Sequence, residues 1–544
     1  MSDNRSTPLH LRAIGERSAL LAALLVWLLV STSAHASPAP SVQAPSVQAP
    51  SVQEQWYEML GQRAQQLAAQ PYTPPADDLP ESLRNINYDT YRQIRFNPQQ
   101  AYWKDESRFS VQVFHSGFLF PHPVELHVIE DGSATSLTFQ QDDFIYEGAA
   151  QQLESADLSG IGHAGFRLHY PLNTPDYADE FAVFLGASYF RLVGQGQAYG
   201  LSARGIAVDT ATPQGEEFPA FRAFWLFKPE ADDNNVHIMA LLDGPSLTGV
   251  YHFELTPGQD TQMVVDATLF ARNDIKKLGI APLTSMFTYG DISVSRPDDF
   301  RPNVHDSQGL LLHTGQQEWI WRPLKNPSSV QVSAFLDNNP KGFGLMQRER
   351  DFTHYLDLEA QYHRRPSQWV EPLGAWGPGH VELVEIPTPD ETHDNIVVYW
   401  VADDPLEAGQ SRQFRYHTQT LNQTPPEHGL AKAIRSRQGD AAVPGEEDSA
   451  SAGQRQWIVD FAGGKLPTLN PASPVELRID SGTEAITLTQ VKALPNHQWR
   501  ATFRVAPITQ PLDVRLALTQ GGQVISETWN HIISAPLALR PPDA

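Results

Sequence analysis

Apolar and polar residues alternate with a period of two in short segments from about Tyr102 onward. The segments 109–113 and 124–128 alternate strictly, and the apolar runs 236–242 and 381–386 have the length of strands. Gly, Pro, Asn and Asp lie between the runs, where turns end strands. The pattern continues for roughly 300 residues with almost no sustained helical period, which predicts antiparallel sheets packed face to face. We therefore predict an all-β protein whose N-terminal part is a large β-sandwich.

One segment near the N-terminus has a helical period instead. Apolar residues recur every three or four positions between Glu54 and Ala69, at Trp56, Met59, Leu60, Ala64, Leu67 and Ala68. This spacing places them on one face of an amphipathic helix. The prolines between Pro71 and Pro75 end the pattern, so we predict a single helix before them.

The composition changes after Tyr416, which predicts a second domain. The segments 422–426 and 439–453 are polar, and they contain Pro, Gly and acidic residues. Regularly spaced strand patterns follow at 457–461, 475–479, 499–505 and 512–518. Their number and spacing are typical of an immunoglobulin-like sandwich. We predict a first domain at 54–416, a linker at 417–435 and an immunoglobulin-like domain at 436–544.

The first 36 residues have the organisation of a secretory signal peptide. Arg5, Arg12 and Arg17 precede an apolar run at 19–30, and a small-residue Ala-x-Ala end follows at Ala36. The run is shorter than the roughly 20 residues that a membrane span needs. No Arg-Arg pair precedes it, so the leader is predicted to be of the Sec type. We expect cleavage after Ala36 and export to the periplasm, with an uncleaved membrane anchor as the alternative.

A tether follows the predicted cleavage site. Residues 37–53 contain two copies of SVQAP and a third partial copy, and they are rich in Pro, Ser and Ala. So few apolar groups cannot offset the chain entropy of a folded repeat. We predict an extended spacer with no chemistry of its own.

Charge and composition exclude several classes of function. The chain has 63 acidic and 39 basic residues, for a net charge of −24, so nucleic acid and anionic membrane surfaces would repel it. It has no Cys, which excludes thiol nucleophiles, zinc–thiolate sites, iron–sulfur clusters and disulfides. Neither a phosphate-binding G-x-x-x-x-G-K-[ST] loop nor a G-x-S-x-G elbow occurs. A neutral ligand fits this chain better, and no cofactor is indicated.

Two His-Asp pairs are the candidate chemistry: His305-Asp306 and His393-Asp394. As metal ligands they would have to converge, but adjacent strand residues point to opposite faces of a sheet. As paired carboxyls, Asp306 and Asp394 have the groups that glycosidic-bond hydrolysis requires, a general base and a general acid. Solvated carboxylates in turns are the alternative.

Aromatic residues crowd the sequence around both pairs. Those nearest the two pairs are Trp319, Trp321, Tyr355, Tyr362, Trp369, Trp376, Tyr399 and Trp400. Aromatic faces pack against the C–H faces of sugar rings, and polar side chains bind the hydroxyls. Any one of these residues could instead belong to the core. Their density beside polar clusters favours a carbohydrate ligand.

Several longer runs carry a resemblance to a known family. They are NPQQAYW (97–103), GASYFR (186–191), YGLSARG (199–205), GEEFPAF (215–221), HDSQGL (305–310), EWIWRPL (318–324) and VELVEIPTPDETHDNIVVYW (381–400). These runs resemble the glucans biosynthesis proteins G and D, bacterial periplasmic proteins that make osmoregulated periplasmic glucans. The leader resembles the Sec-type leaders of the G members. The resemblance implies a large N-terminal β-sandwich with a carbohydrate cleft, a short linker and an immunoglobulin-like domain.

The resemblance also implies roles for residues. Family members are required for the β-1,2-linked glucan backbone, and the family includes inverting endo-β-1,2-glucanases. Its general acid is the Asp of ETxDN, here Asp394, and its general base is the Asp of RPxxHDS, here Asp306. It implies a relay through Thr392 and a substrate hydroxyl, and a cleft lined by Glu391, Tyr362 and Arg365. Trp319 and Trp321 complete the predicted substrate-binding residues.

Two positions depart from the family pattern. Gln308 and His393 stand where relatives commonly have Asn. A charged His393 close to Asp394 would lower the pKa of that carboxyl and weaken it as an acid.

Three hypotheses follow for the function. The first is a periplasmic β-1,2-glucan-processing enzyme without metal or organic cofactor. The second is a non-catalytic glucan chaperone or scaffold that works with the inner-membrane glucan synthase. A third hypothesis, compatible with either, makes the C-terminal domain the module that binds this synthase. A buried Asp394 with a raised pKa would favour the enzyme, and an exposed one would favour the scaffold. The oligomeric state stays open, a homodimer included.

Overall fold

The computed structural model describes residues 50–76, 79–294, 297–422, 428–442, 453–482 and 484–534. The predicted leader (1–36), most of the tether and the segment 423–427 of the predicted linker lie outside the described residues. The helices are α1 (Val52–Ala68), α2 (Glu81–Arg84) and α3 (Tyr88–Tyr91), with 3-10 turns at Pro98–Gln100, Gln141–Asp143, Gly148–Leu153, Phe352–His354, Tyr362–Arg364, Leu466–Thr468 and Pro495–His497. In the part of the chain described, no helix is long and apolar enough to cross a bilayer.

Strands make up most of the described structure. Up to the first site residue they are β1 (Ile94–Phe96), β2 (Ser110–His115), β3 (Glu125–Glu130), β4 (Ser133–Ser136), β5 (Phe144–Tyr146), β6 (His163–Thr174), β7 (Tyr177–Leu185), β8 (Tyr189–Leu192), β9 (Ser202–Arg204), β10 (Ile206–Val208), β11 (Ala220–Phe227), β12 (Val236–Asp243), β13 (Leu247–Thr256), β14 (Gln262–Ala271), β15 (Leu278–Ser285), β16 (Phe287–Tyr289) and β17 (Val304–His305). After it they are β18 (Gly309–His313), β19 (Trp319–Pro323), β20 (Gln331–Asn338), β21 (Gly342–Met346), β22 (Ser367–Pro372), β23 (Pro378–Glu385), β24 (Ile396–Ala402), β25 (Ser411–Leu421), β26 (Lys432–Asp440), β27 (Arg455–Ala462), β28 (Val475–Asp480), β29 (Ile486–Ala493), β30 (Trp499–Val505), β31 (Leu512–Gln520), β32 (Gln523–Val524) and β33 (Thr528–Ile533).

Among the described residues, two large sheets hold most of these strands. The first has ten strands in the order β2-β6-β7-β8-β9-β15-β24-β23-β20, with β10 beside β15. The second has fifteen, in the order β28-β31-β33-β19-β18-β21-β22-β25-β14-β13-β12-β11-β3-β4, with β32 beside β31. Smaller sheets pair β1 with β5, β16 with β17, and β26-β27-β30-β29 in that order. Pairing is antiparallel except between β3 and β11 and between β19 and β33.

The core lies between the two large sheets and is rich in aromatic rings. The ring of Phe184 on β7 lies 5.6 Å from that of Phe224 on β11 and 5.2 Å from that of Phe253 on β13. Phe166 on β6 contacts Phe224 edge to face at 5.0 Å. The period-two segments of the sequence form β2, β3, β12 and β23 within a few residues. The prediction of an all-β sandwich is confirmed.

Helix α1 adds a third layer on the outer face of β12 to β14. Ser51 caps it in a capping box with Glu54. Leu60 and Ala64 are buried against the sheet, whereas Met59 is exposed. The predicted helix is confirmed, with its first residue two positions earlier than the pattern indicated.

The C-terminal strands also form two layers. Trp457 on β27 packs at 6.1 Å from Trp529 on β33, with Phe503 on β30 beside both. The predicted strands correspond to β27, β28, β30 and β31. Strand β25 extends to Leu421, inside the predicted linker, and β19 pairs with β33 so that the larger sheet continues into the C-terminal part. The division into two domains stays a prediction.

Candidate functional site

One short backbone segment positions both candidate carboxyls. It runs from the last residue of β15 into β16. The Asp306 N–H donates to the Met286 carbonyl at 2.8 Å. The Phe287 N–H donates to Asn395 Oδ1 at 2.8 Å, and Asn395 directly follows Asp394. Asp306 and Asp394, 88 positions apart in sequence, are therefore held at the same junction.

Asn395 fastens the loop that carries Asp394. Its side chain is buried and also donates to the Phe287 carbonyl at 3.0 Å and to the Ile386 carbonyl at 2.9 Å. Its own N–H donates to the carbonyl of Ser285 at 3.0 Å. The loop 387–394 is thus closed at its base by a fully bonded amide.

We expect Asn395→Ala to lower the free energy of unfolding by about 2–4 kcal/mol, because it leaves buried backbone groups of Phe287 and Ile386 without partners. Urea denaturation measures the change. Asn273→Ala is the control, because the exposed Asn273 also donates to a backbone carbonyl, that of Pro245. That control should change stability by less than about 0.5 kcal/mol. Equal effects of the two variants would contradict the role given to Asn395.

Asp306 is the more deeply buried carboxyl. Its residue is 4% exposed, and Arg365 Nη1 donates directly to Oδ1. Burial raises the pKa of Asp306 to about 6; the guanidinium of Arg365 opposes this rise, and the charge of Asp394 adds to it. A carboxyl with this pKa can exchange a proton close to neutral pH.

Asp394 combines solvent exposure with dense surroundings. Its residue is exposed, yet enough protein surrounds the carboxyl that desolvation raises its pKa, while Arg191 and Arg365 oppose the rise. These two properties fit a group on the wall of a concave surface. The exposure favours the scaffold hypothesis and the raised pKa favours the enzyme, so this criterion alone does not separate them.

The two carboxyls share part of their electrostatic surroundings. The charge of Asp394 acts on Asp306, and Arg365 acts on both. Burial is the main cause of the raised pKa of each carboxyl, so both take up protons at a higher pH than isolated carboxyls do.

Three predicted cleft residues meet beside Asp306. The guanidinium of Arg365 lies over the Tyr362 ring at 4.3 Å, and the Tyr362 hydroxyl donates to Glu391 Oε2 at 2.7 Å. Arg301 Nη1 also donates to Glu391 Oε2, at 2.8 Å. The structure thus joins Asp306, Arg365, Tyr362 and Glu391 in one network.

Thr392 takes different partners from those that a relay requires. Its hydroxyl donates to Asp390 Oδ1 at 2.6 Å and lies 3.0 Å from His393 Nδ1. His393 Nδ1 in turn lies 3.2 Å from Asp390 Oδ1. The cations that oppose the rise in the pKa of Asp394 are Arg191 and Arg365. His393 faces Asp390 and not Asp394.

Trp319 and Trp321 are buried in the core. All five residues of β19 are buried. The ring of Trp319 stacks on His313 at 4.1 Å and faces Trp369 at 5.9 Å. The Arg348 guanidinium covers Trp321 at 3.6 Å. Their positions do not support the predicted role in substrate binding, because protein groups already occupy the ring faces.

The histidines of the two His-Asp pairs do not converge either. The His305 ring stacks on Phe287 at 5.2 Å, and its Nδ1 lies 2.9 Å from Gln347 Oε1. Gln347 also donates to the carbonyls of His305 and Tyr362. Within the described residues, no group of three or more His, Asp or Glu side chains has the arrangement of a metal site.

Sequence reasoning missed Arg191 and Tyr189 on β8. Arg191 is exposed, donates from Nε to Ser202 Oγ at 2.9 Å, and acts electrostatically on both carboxyls. Burial raises the pKa of Tyr189, and Asp394 contributes to the rise. The alternation of buried Phe190 and Leu192 with these two polar residues was the available signal.

Comparison with known proteins gives a consistent result. The family model described as "Periplasmic glucan biosynthesis protein, MdoG" matches residues 56–533. A glucans biosynthesis protein G of Vibrio cholerae serotype O1 is 46% identical over 469 residues, which cover 86% of this chain and 84% of the relative. Proteins of the same name from Ralstonia nicotianae and Dickeya dadantii are 44% and 42% identical, over 87% and 88% of this chain and 94% and 92% of theirs.

Proposed function

Because this chain belongs to the MdoG family of periplasmic glucan biosynthesis proteins, we propose that it hydrolyses the β-1,2-linked glucan backbone as an inverting endo-glucanase. The role in periplasmic glucan biosynthesis follows from the family. The reaction and the linkage are the proposal.

The meeting of Asp306 and Asp394 at one junction supports this proposal most directly. An inverting glycosidase needs two carboxyls on opposite sides of the scissile bond, one protonated and one ionised. Asp306 and Asp394 both have raised pKa values, and the charge of Arg365 acts on both. Solvated turn carboxylates would have none of these properties.

The two carboxyls would then act in one displacement. Asp394 donates its proton to the glycosidic oxygen as the bond from that oxygen to the anomeric carbon breaks. A water molecule attacks the anomeric carbon from the opposite face, and its proton passes to Asp306. The product has the inverted anomeric configuration, and the next turnover requires the proton to return from Asp306 to Asp394.

The proton could reach Asp306 directly or through Thr392 and a substrate hydroxyl. In the structure the Thr392 hydroxyl donates to Asp390, so a relay requires this hydroxyl to turn toward the substrate. Glu391, Tyr362 and Arg365 would bind sugar hydroxyls from the base side of the cleft, because they surround Asp306.

The exposure of Asp394 supports a second candidate function, a non-catalytic glucan scaffold. In this case the carboxyls only bind hydroxyls, and the protein hands glucan chains to or from the inner-membrane synthase. We further propose periplasmic location through the Sec-type leader, and the two-domain organisation with a linker in 417–435. A homodimer is compatible with either function.

The test incubates the purified mature chain with linear β-1,2-glucan and follows the products by chromatography and proton NMR. Shortened glucans whose new reducing ends appear first as the α anomer, inverted from the β linkage, would support the enzyme. Binding of the glucan without any shortening would contradict it and leave the scaffold.

The pH dependence of hydrolysis gives a further prediction. We expect kcat/KM to fall on the acid side with an apparent pKa of about 6, because Asp306 must be ionised to accept a proton. Arg365→Gln removes the cation that holds this pKa down, so the acid limb should move to higher pH by about 1 unit. Initial rates on linear glucan between about pH 4 and pH 9 measure the acid limb of the wild type and of the variant. An acid limb that stays in place in the variant would contradict the assignment of Asp306 as base.

A further inference from the structure

An apolar groove adjoins the candidate site on the side of Asp394. It has a volume of about 390 Å³, and its wall includes Tyr72, Leu119, Phe120, Tyr189, Phe218 and Arg222. Two large apolar side chains stand open to solvent at this groove, Leu119 at 71% and Phe218 at 52% exposure. Exposed apolar side chains around a concavity are typical of a binding surface.

Strand β8 connects the groove to the carboxyls. Side chains alternate along a strand, so Tyr189 and Arg191 project from the same face, while Phe190 and Leu192 enter the core. Tyr189 belongs to the groove wall. Arg191 Nε donates to Ser202 Oγ at 2.9 Å on β9, and Ser202 pairs with Thr284 on β15. The next residue of β15, Ser285, accepts the N–H of Asn395, which directly follows Asp394. A chain that follows this face passes from the groove over Tyr189 to the reacting carboxyls.

A stack of three side chains supports this part of the wall. The Arg204 guanidinium lies 5.2 Å from the Tyr189 ring centre and 4.9 Å from that of Phe218. Arg204 is buried, and its charge is balanced by Glu216 at 2.7 Å. Phe218 and Tyr189 therefore both make cation–π contacts with the buried Arg204. This contact holds Phe218 in position although its ring is exposed.

A glycine shapes the opposite wall. Gly186 has a φ of +78°, in the left-handed region that favours glycine. A Cβ at this position would lie 3.3 Å from the Phe120 ring. The missing side chain lets Phe120 approach the turn between β7 and β8, which leaves an aromatic surface along the groove.

The chemistry of the wall fits the apolar faces of sugar rings. Apart from the phenol of Tyr72 and Tyr189, the polar side chains at the groove are His122 and Arg222, and no carboxylate is among its described lining residues. Aromatic and aliphatic surfaces with few polar groups hold pyranose rings by their C–H faces.

We propose that this groove binds the glucose residues on the leaving-group side of the scissile bond. Tyr189 lies on the face of β8 that leads through Arg191 and Ser202 toward the Asp394 loop, which carries the proposed acid. Arg365, stacked on Tyr362, contacts Asp306, the proposed base. In an inverting reaction the acid stands at the leaving oxygen, so the sugars beyond the acid are those that depart. The assignment rests on the proposed hydrolysis.

Phe218→Ala tests the groove, with Tyr177→Ala as the matched control. Tyr177 is an exposed aromatic residue at the start of β7, outside the groove wall. Calorimetry with linear β-1,2-gluco-oligosaccharides, on chains that also carry Asp394→Asn, measures Kd without cleavage. We expect about tenfold weaker binding for Phe218→Ala and no change for Tyr177→Ala. Leu119→Ala should weaken binding in the same sense, with the exposed Leu336→Ala as its control.

The cleavage pattern separates a groove from a merely structural residue. With active chains and oligosaccharides labelled at the reducing end, the leaving fragment carries the label. Phe218→Ala should change the length of the labelled fragment and raise KM, whereas Tyr177→Ala should change neither. If Phe218→Ala and Leu119→Ala match their controls while the wild type binds and cleaves, the groove assignment is wrong and the hydrolysis stands. If the folded wild type neither binds nor cleaves any β-1,2-glucan, both fall.

Discussion

Asp394→Asn should lower kcat for linear β-1,2-glucan by about 10²- to 10⁴-fold, because an amide cannot donate a proton to the leaving oxygen. The substitution keeps the size of the side chain, and Asn395 continues to close the loop through its bonds to Phe287 and Ile386. Binding should therefore persist, with a Kd within about threefold of the wild-type value. Initial rates from reducing ends and a calorimetric titration measure the two quantities.

Asp403→Asn is the matched control for this prediction. Asp394 lies just before β24 and the exposed Asp403 just after it, so the two substitutions flank the same strand. The control should retain full activity. A drop in kcat of less than tenfold for Asp394→Asn would argue against its role as general acid.

Glu527→Gln should lower the free energy of unfolding by about 3–5 kcal/mol, since it breaks a buried ion pair and leaves a buried guanidinium uncompensated. The Glu527 side chain is fully buried and binds Arg348 through both oxygens, at 2.6 and 2.9 Å. His428 Nε2 lies 3.1 Å from Oε1, and the Ala433 N–H donates to Oε2 at 3.0 Å. Chemical denaturation followed by tryptophan fluorescence measures the change.

The same carboxylate makes a pH-dependent contribution. Burial acts to raise the pKa of Glu527, but Arg348, His428 and the Ala433 N–H overcome it and lower the pKa to about 2 from an ordinary 4.5. The folded state therefore binds the proton less tightly than the unfolded state. The resulting stability, about 3 kcal/mol, is present above pH 4.5 and is lost as the pH falls through 2. In Glu527→Gln this part of the acid denaturation should be missing.

Glu318→Gln is the control for Glu527→Gln. Glu318 also bonds an arginine, Arg515, at 2.7 Å, but both side chains are about one-third exposed. Water screens such a pair, so its loss should cost no more than about 1 kcal/mol. Equal losses from the two variants would contradict the special contribution of the buried pair.

The sequence predicted the fold class well because alternating apolar and polar residues indicate a strand that buries one face of its sheet. The alternation at 109–113 and 124–128 became β2 and β3. It could not reveal which strands neighbour one another, since β14 and β25 pair although about 140 residues separate them. The linker prediction shows the same limit: polar composition marks 422–426, but β25 continues to Leu421 because β14 and β22 flank it.

The candidate site was predictable only in part. Asp306 and Asp394 were identified from the two His-Asp pairs, and the family motifs implied which is the base and which the acid. A local pattern cannot show that Met286 and Phe287 bring them together. The predicted binding role of Trp319 and Trp321 rested on their aromatic character alone. An aromatic residue beside polar neighbours looks the same in a cleft and in a core. Here His313 and Trp369 cover the ring of Trp319, and Arg348 covers that of Trp321. For Arg191 and Tyr189 the only signal was their alternation with Phe190 and Leu192, which predicts a strand but not a site.

The order of strands in the fifteen-stranded sheet has a consequence for synthesis. β25 stands between β22 and β14, and β33 pairs with β19 at residues 208 positions apart in the chain. Until β25 and β33 have been synthesised, β14, β22 and β19 each lack one of their two neighbours in this sheet. Pairings so distant in sequence also form slowly. The predicted leader would direct the chain through a membrane channel in an unfolded state. Late closure suits this route, because part of the larger sheet stays unpaired until the last strands have been synthesised.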